Sequence, residues 1–241
     1  ALIVAVGAKL EWTGQNSLRI EGPELVARDL DPALCAKIRA SILLAAPLLA
    51  RCGEIILPPP GGDVIGRRRL DTHFLALEQL GASVSIGERF ELHAKELVGA
   101  DIFLDEPSVT GTENALMAAV GARGRTVLRN AAAEPHVQDL ARCLVAMGAS
   151  IEGIGSNIYT IEGGRPLGPA SYAIGPDHIE IGSFIGLAAV TNGEIIIDPV
   201  RADDLRSTLL GFERLGIRPR VDGTRLIVDA DKRMVLIRDV V

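Results

Sequence analysis

A chain of 241 residues, 48% apolar and with a formal net charge of −6, can bury a sizeable core but lacks the long basic face that a nucleic acid needs. Its only basic cluster, Arg67–Arg69, suits one small anion better than a duplex. The three cysteines, Cys35, Cys52 and Cys143, form no CxxC pair, so neither a zinc site nor a disulfide framework is suggested, and a reduced, cytosolic setting fits best.

No signal peptide is visible, and both ends fall inside apolar text, which suggests a piece of a longer protein. Residues 5–22 (AVGAKLEWTGQNSLRIEG) read as a helix end at Gly7, a strand, a tight turn and a second strand. Residues 33–50 are strongly apolar, but Lys37, Arg39, Ser41 and Pro47 interrupt them; with Asp31-Pro32 as start signal, they predict a buried helix and not a membrane span. Residues 57–73 (LPPPGGDVIGRRRLDTH) form a loop in which Gly61, Gly62 and Gly66 free the backbone and Asp63 stands beside three arginines. Taken alone, this could be an ordinary solvated loop. A helix follows at 72–80, with Asp71 as a candidate N-cap and His73 as a packed helix residue.

Residues 79–94 (QLGASVSIGERFELHA) repeat the opening phrase, with a strand at Ser83–Ile86 and a turn at Gly87-Glu88. Glu106-Pro107-Ser108-Val109 lead into an apolar helix at 112–121, and Thr110-x-x-Glu113 fits a capping box. RTVLR at 125–129 reads as a buried strand, and the phrase returns at 146–163 (AMGASIEGIGSNIYTIEG). GGRPLGPAS at 163–171 reads as a crossover between domains. A second all-apolar helix at 179–191, a strand at 194–198 and a last copy of the phrase at 214–229, turning at Asp222-Gly223, complete the chain.

The marker glycines Gly7, Gly81, Gly148 and Gly216 are spaced by 74, 67 and 68 residues, so the repeat is a supersecondary unit and not a solenoid turn. Its order is strand-helix-strand-helix-strand-strand. Helices apolar on every side must be buried on every side, which places helices inside and sheets outside.

KIRASILLAAPLLAR (37–51), LPPPGGDVIGRRRLDTHFLALEQLGA (57–82), EPSVTGTENALMAAV (106–120) and NAAAEPHVQDLARCLVAMGA (130–149) resemble, in order and spacing, the UDP-N-acetylglucosamine enolpyruvyl transferases (1-carboxyvinyltransferases). The resemblance implies an inside-out α/β barrel of repeated βαβαββ units. Residues 1–174 would supply most of the first domain, about two and a half units, and 175–241 the first unit of the second. It also implies transfer of the enolpyruvyl group of phosphoenolpyruvate to the 3-hydroxyl of UDP-N-acetylglucosamine, with release of phosphate, as the first committed step of peptidoglycan synthesis. The expected setting is the cytoplasm, with no cofactor or metal, and with no nucleic-acid or membrane partner.

Carried over residue by residue, the resemblance makes Asp63 the proton donor, where the family usually has cysteine, and Arg68 the arginine that meets the anionic substrates. The usual cysteine is the target of fosfomycin, so resistance is expected here. Arg39, Arg68, Arg69, Leu70, Asp71, Thr72, Glu106, Pro107, Ser108 and Val109 would bind substrate. Arg39 could instead serve a buried salt bridge, and Asp71 a helix cap. Several positions depart from the family pattern. Arg69 replaces a proline, Thr110-Gly111 replaces Gly-Ala, Ala133 and His136 replace an arginine and a glutamate, and His178 replaces an arginine. A catalytic lysine and a second-domain aspartate of the family match no position in residues 1–241. A shikimate-phosphate enolpyruvyl transferase and a non-catalytic nucleotide-sugar binder are the alternatives.

Overall fold

Each marker glycine ends a helix. The computed structural model describes residues 1–22, 24–26, 30–62 and 69–229, and in it Gly7, Gly81, Gly148 and Gly216 have φ of +99°, +99°, +106° and +80°. A side chain at such a φ is strained, and glycine is not. Every copy closes in the same way. Gly81 N–H donates to the Glu78 carbonyl at 2.9 Å and Ala82 N–H to the Leu77 carbonyl at 3.0 Å, which is a Schellman cap. The equivalent pairs recur after the other three glycines.

The elements run α1 (Leu2–Ala5), β1 (Lys9–Gly14), β2 (Ser17–Glu21), α2 (Pro32–Cys35), a 3₁₀ turn (Arg39–Leu44), α3 (Ala45–Cys52), β3 (Glu54–Leu57), α4 (Asp71–Gln79), β4 (Ser83–Ile86) and β5 (Phe90–His93). Then come β6 (Asp101–Phe103), α5 (Val109–Gly121), β7 (Gly124–Arg129), α6 (Pro135–Ala146), β8 (Ser150–Glu152) and β9 (Ile158–Gly163). The last are α7 (His178–Thr191), β10 (Ile195–Ile197), a 3₁₀ turn (Ala202–Leu205), α8 (Arg206–Arg214), β11 (Arg220–Asp222) and β12 (Arg225–Val228). Two compact units result: residues 1–133 with 140–171, and residues 134–139 with 172–241.

In the first unit helices lie inside and sheets outside. Helix α5 packs against α3, α4 and β9 and is buried almost all round. Small residues allow the close approach: a Cβ on Gly121 would stand 2.8 Å from the Ala50 Cβ. Outside lie a three-stranded antiparallel sheet, β3-β5-β4, and a four-stranded sheet, β6-β7-β9-β8, in which β6 and β7 alone run parallel. Alternation along β3 buries Ile55 and Leu57, and along β9 it buries Tyr159 and Ile161. Each such fully buried side chain contributes about 2 kcal/mol.

The expected helix over 33–50 is broken into three pieces. Pro47 has no N–H, and its ring excludes the α geometry four residues upstream, so it is tolerated only in the first turn of α3. Upstream, Ile38 is extended (φ −145°, ψ 125°). The carbonyls of Cys35 and Ala36 accept from Gly61 and Gly62 N–H at 3.0 and 3.2 Å, so the glycine loop takes up the end of α2. Among the described residues no helix is long and apolar enough to cross a membrane.

In the second unit α7 packs on the antiparallel sheet β10-β12-β11 through Ile181, Ile185 and Ala188, with Leu205, Ile217, Leu226 and Val228 completing the core. Here burial on every side does not hold. Ile179 and Val190 on the outer face of α7 are 65% and 69% exposed, and among the described residues of this unit no second helical layer covers that face.

Candidate functional site

The first turns of α4 and α5 lie side by side. Thr72 Oγ1 donates to Asp105 Oδ1 at 2.6 Å, which joins the start of α4 to the segment leading into α5. A Cβ on Gly111 would meet the Thr72 methyl group at 3.0 Å, so the approach depends on glycine there. Glu106 and Pro107 are exposed at the lip of this junction, Ser108 and Val109 are half-buried, and Leu70 is buried beneath it.

Two caps differ from expectation. The cap of α5 is Ser108, whose Oγ accepts from Gly111 N–H at 3.2 Å, and not Thr110. Thr110 and Glu113 lie inside the helix, and Glu113 faces inward, 9% exposed. Asp71 does not cap α4; it is that helix's first residue, and its carboxylate is paired with the Arg69 guanidinium. The pairing holds the Arg69 pKa above the ordinary arginine value. An arginine two residues before the helix competes successfully for the carboxylate, and the helix starts without a side-chain cap.

Arg39, at the head of the 3₁₀ turn, reaches the same place. Its Nη2 donates to the Arg69 carbonyl at 2.9 Å. Gly62 packs on it from the other side: a Cβ there would lie 3.2 Å from Arg39 N. The two ends of the arginine loop therefore meet on one residue. Asp63 and Arg68 lie outside the described residues. The structure thus brings Arg39, Arg69, Leu70, Asp71 and Thr72 together with Glu106, Pro107, Ser108 and Val109. Guanidinium groups beside the N-terminus of a 13-residue helix suit a ligand with phosphate or carbonyl oxygens.

Under this surface is a polar node that sequence patterning did not reveal. His73 is 2% exposed. Burial, then the nearby Arg39 charge, lower its pKa to about 4, so it is neutral at pH 7. Asn114 Nδ2 lies 2.8 Å from His73 Nδ1 and donates to the Ile42 carbonyl at 3.0 Å, while Asn114 Oδ1 accepts from Ala46 N–H. Thr110 Oγ1 lies 3.1 Å from His73 Nε2. An asparagine in the middle of a helix whose following residues are nearly all apolar was the available signal, since such a group must find partners. Glu113 is the other missed residue: desolvation raises its pKa to about 7, and it lines an apolar groove of about 680 Å³ with Leu34, Ile38, Leu44 and Met117.

Two departures from the family pattern meet in the second unit. The His136 and His178 rings stack with centroids 5.6 Å apart. Nearby, Asp139 accepts from Gly175 N–H at 2.7 Å, Arg201 Nη1 at 2.8 Å and Tyr172 OH at 3.0 Å. Burial opposes its ionisation, yet these donors keep its pKa below the ordinary carboxylate value. Among the described residues no cluster of three or more histidine, cysteine or acidic groups could hold a metal ion.

Helices inside and sheets outside, in repeated units, is the fold of the enolpyruvyl transferases. Residues 3–233 match the EPSP synthase (3-phosphoshikimate 1-carboxyvinyltransferase) family, and the chain belongs to it. The enolpyruvyl transferase NikO from Streptomyces tendae shares the fold, with a TM-score of 0.78 at 20% identity over 95% of this chain and 56% of that one. Within the family, the chain is 64% identical over 233 residues to the UDP-N-acetylglucosamine 1-carboxyvinyltransferase of Bradyrhizobium diazoefficiens, covering 97% of this chain and 54% of the relative. It is 53% identical over 230 residues to the protein of the same name from Treponema denticola, covering 95% of this chain and 54% of that one. The chain thus spans about half the length of these curated relatives.

Proposed function

We propose that this chain is part of a cytoplasmic enzyme that transfers the enolpyruvyl group of phosphoenolpyruvate to the 3-hydroxyl of UDP-N-acetylglucosamine, for peptidoglycan synthesis. The observation that carries this reading is the 64% identity across 97% of the chain with a relative of that name. The convergence of Arg39, Arg69–Thr72 and Glu106–Val109 supports it, because guanidinium groups and helical N–H groups suit a nucleotide diphosphate. In this reading residues 1–174 belong to the first domain and 175–241 to the second. Arg68 meets the substrates' negative charge, and Asp63 delivers a proton to the methylene carbon of phosphoenolpyruvate.

A carboxyl group can deliver a proton only when protonated, and neighbouring arginines oppose that. Bound phosphate dianion opposes the arginines in turn. Asp63 therefore becomes an acid after the substrates arrive. Titration of its carboxyl with and without both ligands tests this, and a low pKa unchanged in the ternary complex would reject it.

The activity is tested by phosphate release from the full-length enzyme with phosphoenolpyruvate and either UDP-N-acetylglucosamine or shikimate 3-phosphate. Release with the first acceptor alone is expected. Release only with the second would move the substrate assignment, and binding without release would make the protein a nucleotide-sugar binder. Residues 1–241 alone are expected to release none, because half of the substrate-positioning groups would be absent.

A further inference from the structure

Thr110 stands where the family pattern has glycine, so this chain places a hydroxyl group where most members have none. The buried node beneath it fixes which way that hydroxyl is used. Asn114 Oδ1 must face the Ala46 N–H, because a backbone N–H can only donate. Its amide nitrogen must face the Ile42 carbonyl, which can only accept. The orientation of the amide is thereby settled, and Asn114 Nδ2 donates to His73 Nδ1. His73 Nδ1 then carries no hydrogen, and the single proton of the neutral ring sits on Nε2. That N–H donates to Thr110 Oγ1 at 3.1 Å.

The Thr110 oxygen accepts, so its own proton is left to give. Among the described residues no acceptor for that proton is seen. Thr110 is half-buried in the first turn of α5, next to Ser108 and Val109, and the direction of its hydroxyl is set from behind by a buried side chain. We propose that Thr110 is a specificity-determining residue that donates its hydroxyl proton to an oxygen acceptor of the uridine diphosphate portion of the substrate, oriented through the chain Asn114–His73–Thr110. This rests on the nucleotide site proposed above. His73 and Asn114 act as positioning residues and do not touch the ligand.

Two measurements on the full-length enzyme test it. The first reads the relay without ligand, as the ¹⁵N–¹H correlation pattern of His73. The expected result is a neutral ring with its proton on Nε2 at pH 7; a proton on Nδ1 would overturn the proposal. The second is calorimetric titration with UDP and with uridine. Thr110→Val keeps the shape and removes the hydroxyl, and it should weaken UDP binding about ten-fold, while Thr110→Ser restores it. A loss seen with UDP but not with uridine assigns the acceptor to the diphosphate; a loss with both assigns it to the base. In turnover, Thr110→Val should raise KM for the nucleotide sugar and leave kcat within about two-fold. Equal UDP affinity in Thr110→Val and the unmodified enzyme would refute the role of Thr110 and leave the nucleotide site standing. Failure of the unmodified enzyme to bind UDP would refute the site itself.

Discussion

Arg39 donates through Nη2 to the main-chain carbonyl of Arg69 at 2.9 Å, so one guanidinium on the 3₁₀ turn holds the exit of the arginine loop. The same guanidinium is among the groups proposed above to meet the nucleotide sugar.

Arg39→Ala in the full-length enzyme should therefore raise KM for UDP-N-acetylglucosamine by about ten-fold or more, through loss of both the ligand contact and the loop anchor. Arg39→Lys should recover little, because an ammonium group cannot hold a carbonyl and an anion with one planar fork. Steady-state kinetics with the nucleotide sugar varied is the check. An unchanged KM in Arg39→Ala would remove Arg39 from the site.

Arg68→Ala should lower turnover far more than Lys37→Ala. Loss of a charge-assisted contact in a cleft costs roughly 2–5 kcal/mol. Lys37 is exposed on the stretch between α2 and the 3₁₀ turn, where a substitution costs about 0.5 kcal/mol or less. Equal losses of kcat/KM in the two variants would show the site to be misplaced.

The two buried titrating groups should act on stability with opposite signs. The His73 pKa falls from 6.5 to about 4 on folding, so the unfolded chain binds the proton more readily. Its contribution is complete above about pH 6.5 and is lost as the pH falls through 4, a change of about 3 kcal/mol. The Glu113 pKa rises from 4.5 to about 7, so the folded chain binds the proton more readily. Stability is lost there as the pH rises through 7. Glu113→Gln should stabilise by up to about 3 kcal/mol at pH 8 and scarcely at all at pH 4. Urea midpoints of both proteins at the two pH values decide the matter; a gain from Glu113→Gln that is equal at both would contradict the desolvated carboxyl.

Fosfomycin should fail against the full-length enzyme. A thiolate opens an unactivated epoxide readily, and a carboxylate is a much poorer nucleophile. The loop carries Asp63, while Cys35 is buried with its thiol pKa pushed up by desolvation, and Cys52 and Cys143 lie on α3 and α6. Asp63→Cys should be drug-sensitive and still turn over, because a thiol also delivers a proton. Preincubation with drug, phosphate release and mass spectrometry of the loop peptide provide the readout. Time-dependent inactivation of the unmodified enzyme with an adduct on residues 61–68 would overturn the assignment.

The helix ends were legible in the sequence because a Schellman cap involves only six consecutive residues, and each phrase contains its glycine and the residue after it. The hairpins after Gly81 and Gly216 were legible for the same reason, although the second turns at Gly223-Thr224, one residue later than expected, because Asp222 still pairs with Arg225. The breaks around Lys37 and Ile38 were less so, because the partners of Cys35 and Ala36 are Gly61 and Gly62, far along the chain. The cap of α5 was misplaced by two residues because Ser108 and Thr110 are both competent caps. Burial of Glu113, which local sequence does not encode, withdraws the glutamate that a capping box requires. The family motifs marked the residues at the surface of the site. They were silent on the Asn114–His73 pair beneath it, whose members come from different helices and meet only when the helices pack.

A Cβ placed on Gly61 would fall 1.7 Å from the Ala36 carbonyl oxygen, a main-chain atom that cannot step aside. This entrance to the loop admits one residue type, whatever chemistry follows. In evolutionary terms the entrance of the loop is committed to the architecture, whatever group stands beyond it. An inhibitor directed at the seat of Gly61 on Ala36 would meet a surface where any side chain at position 61 is a clash.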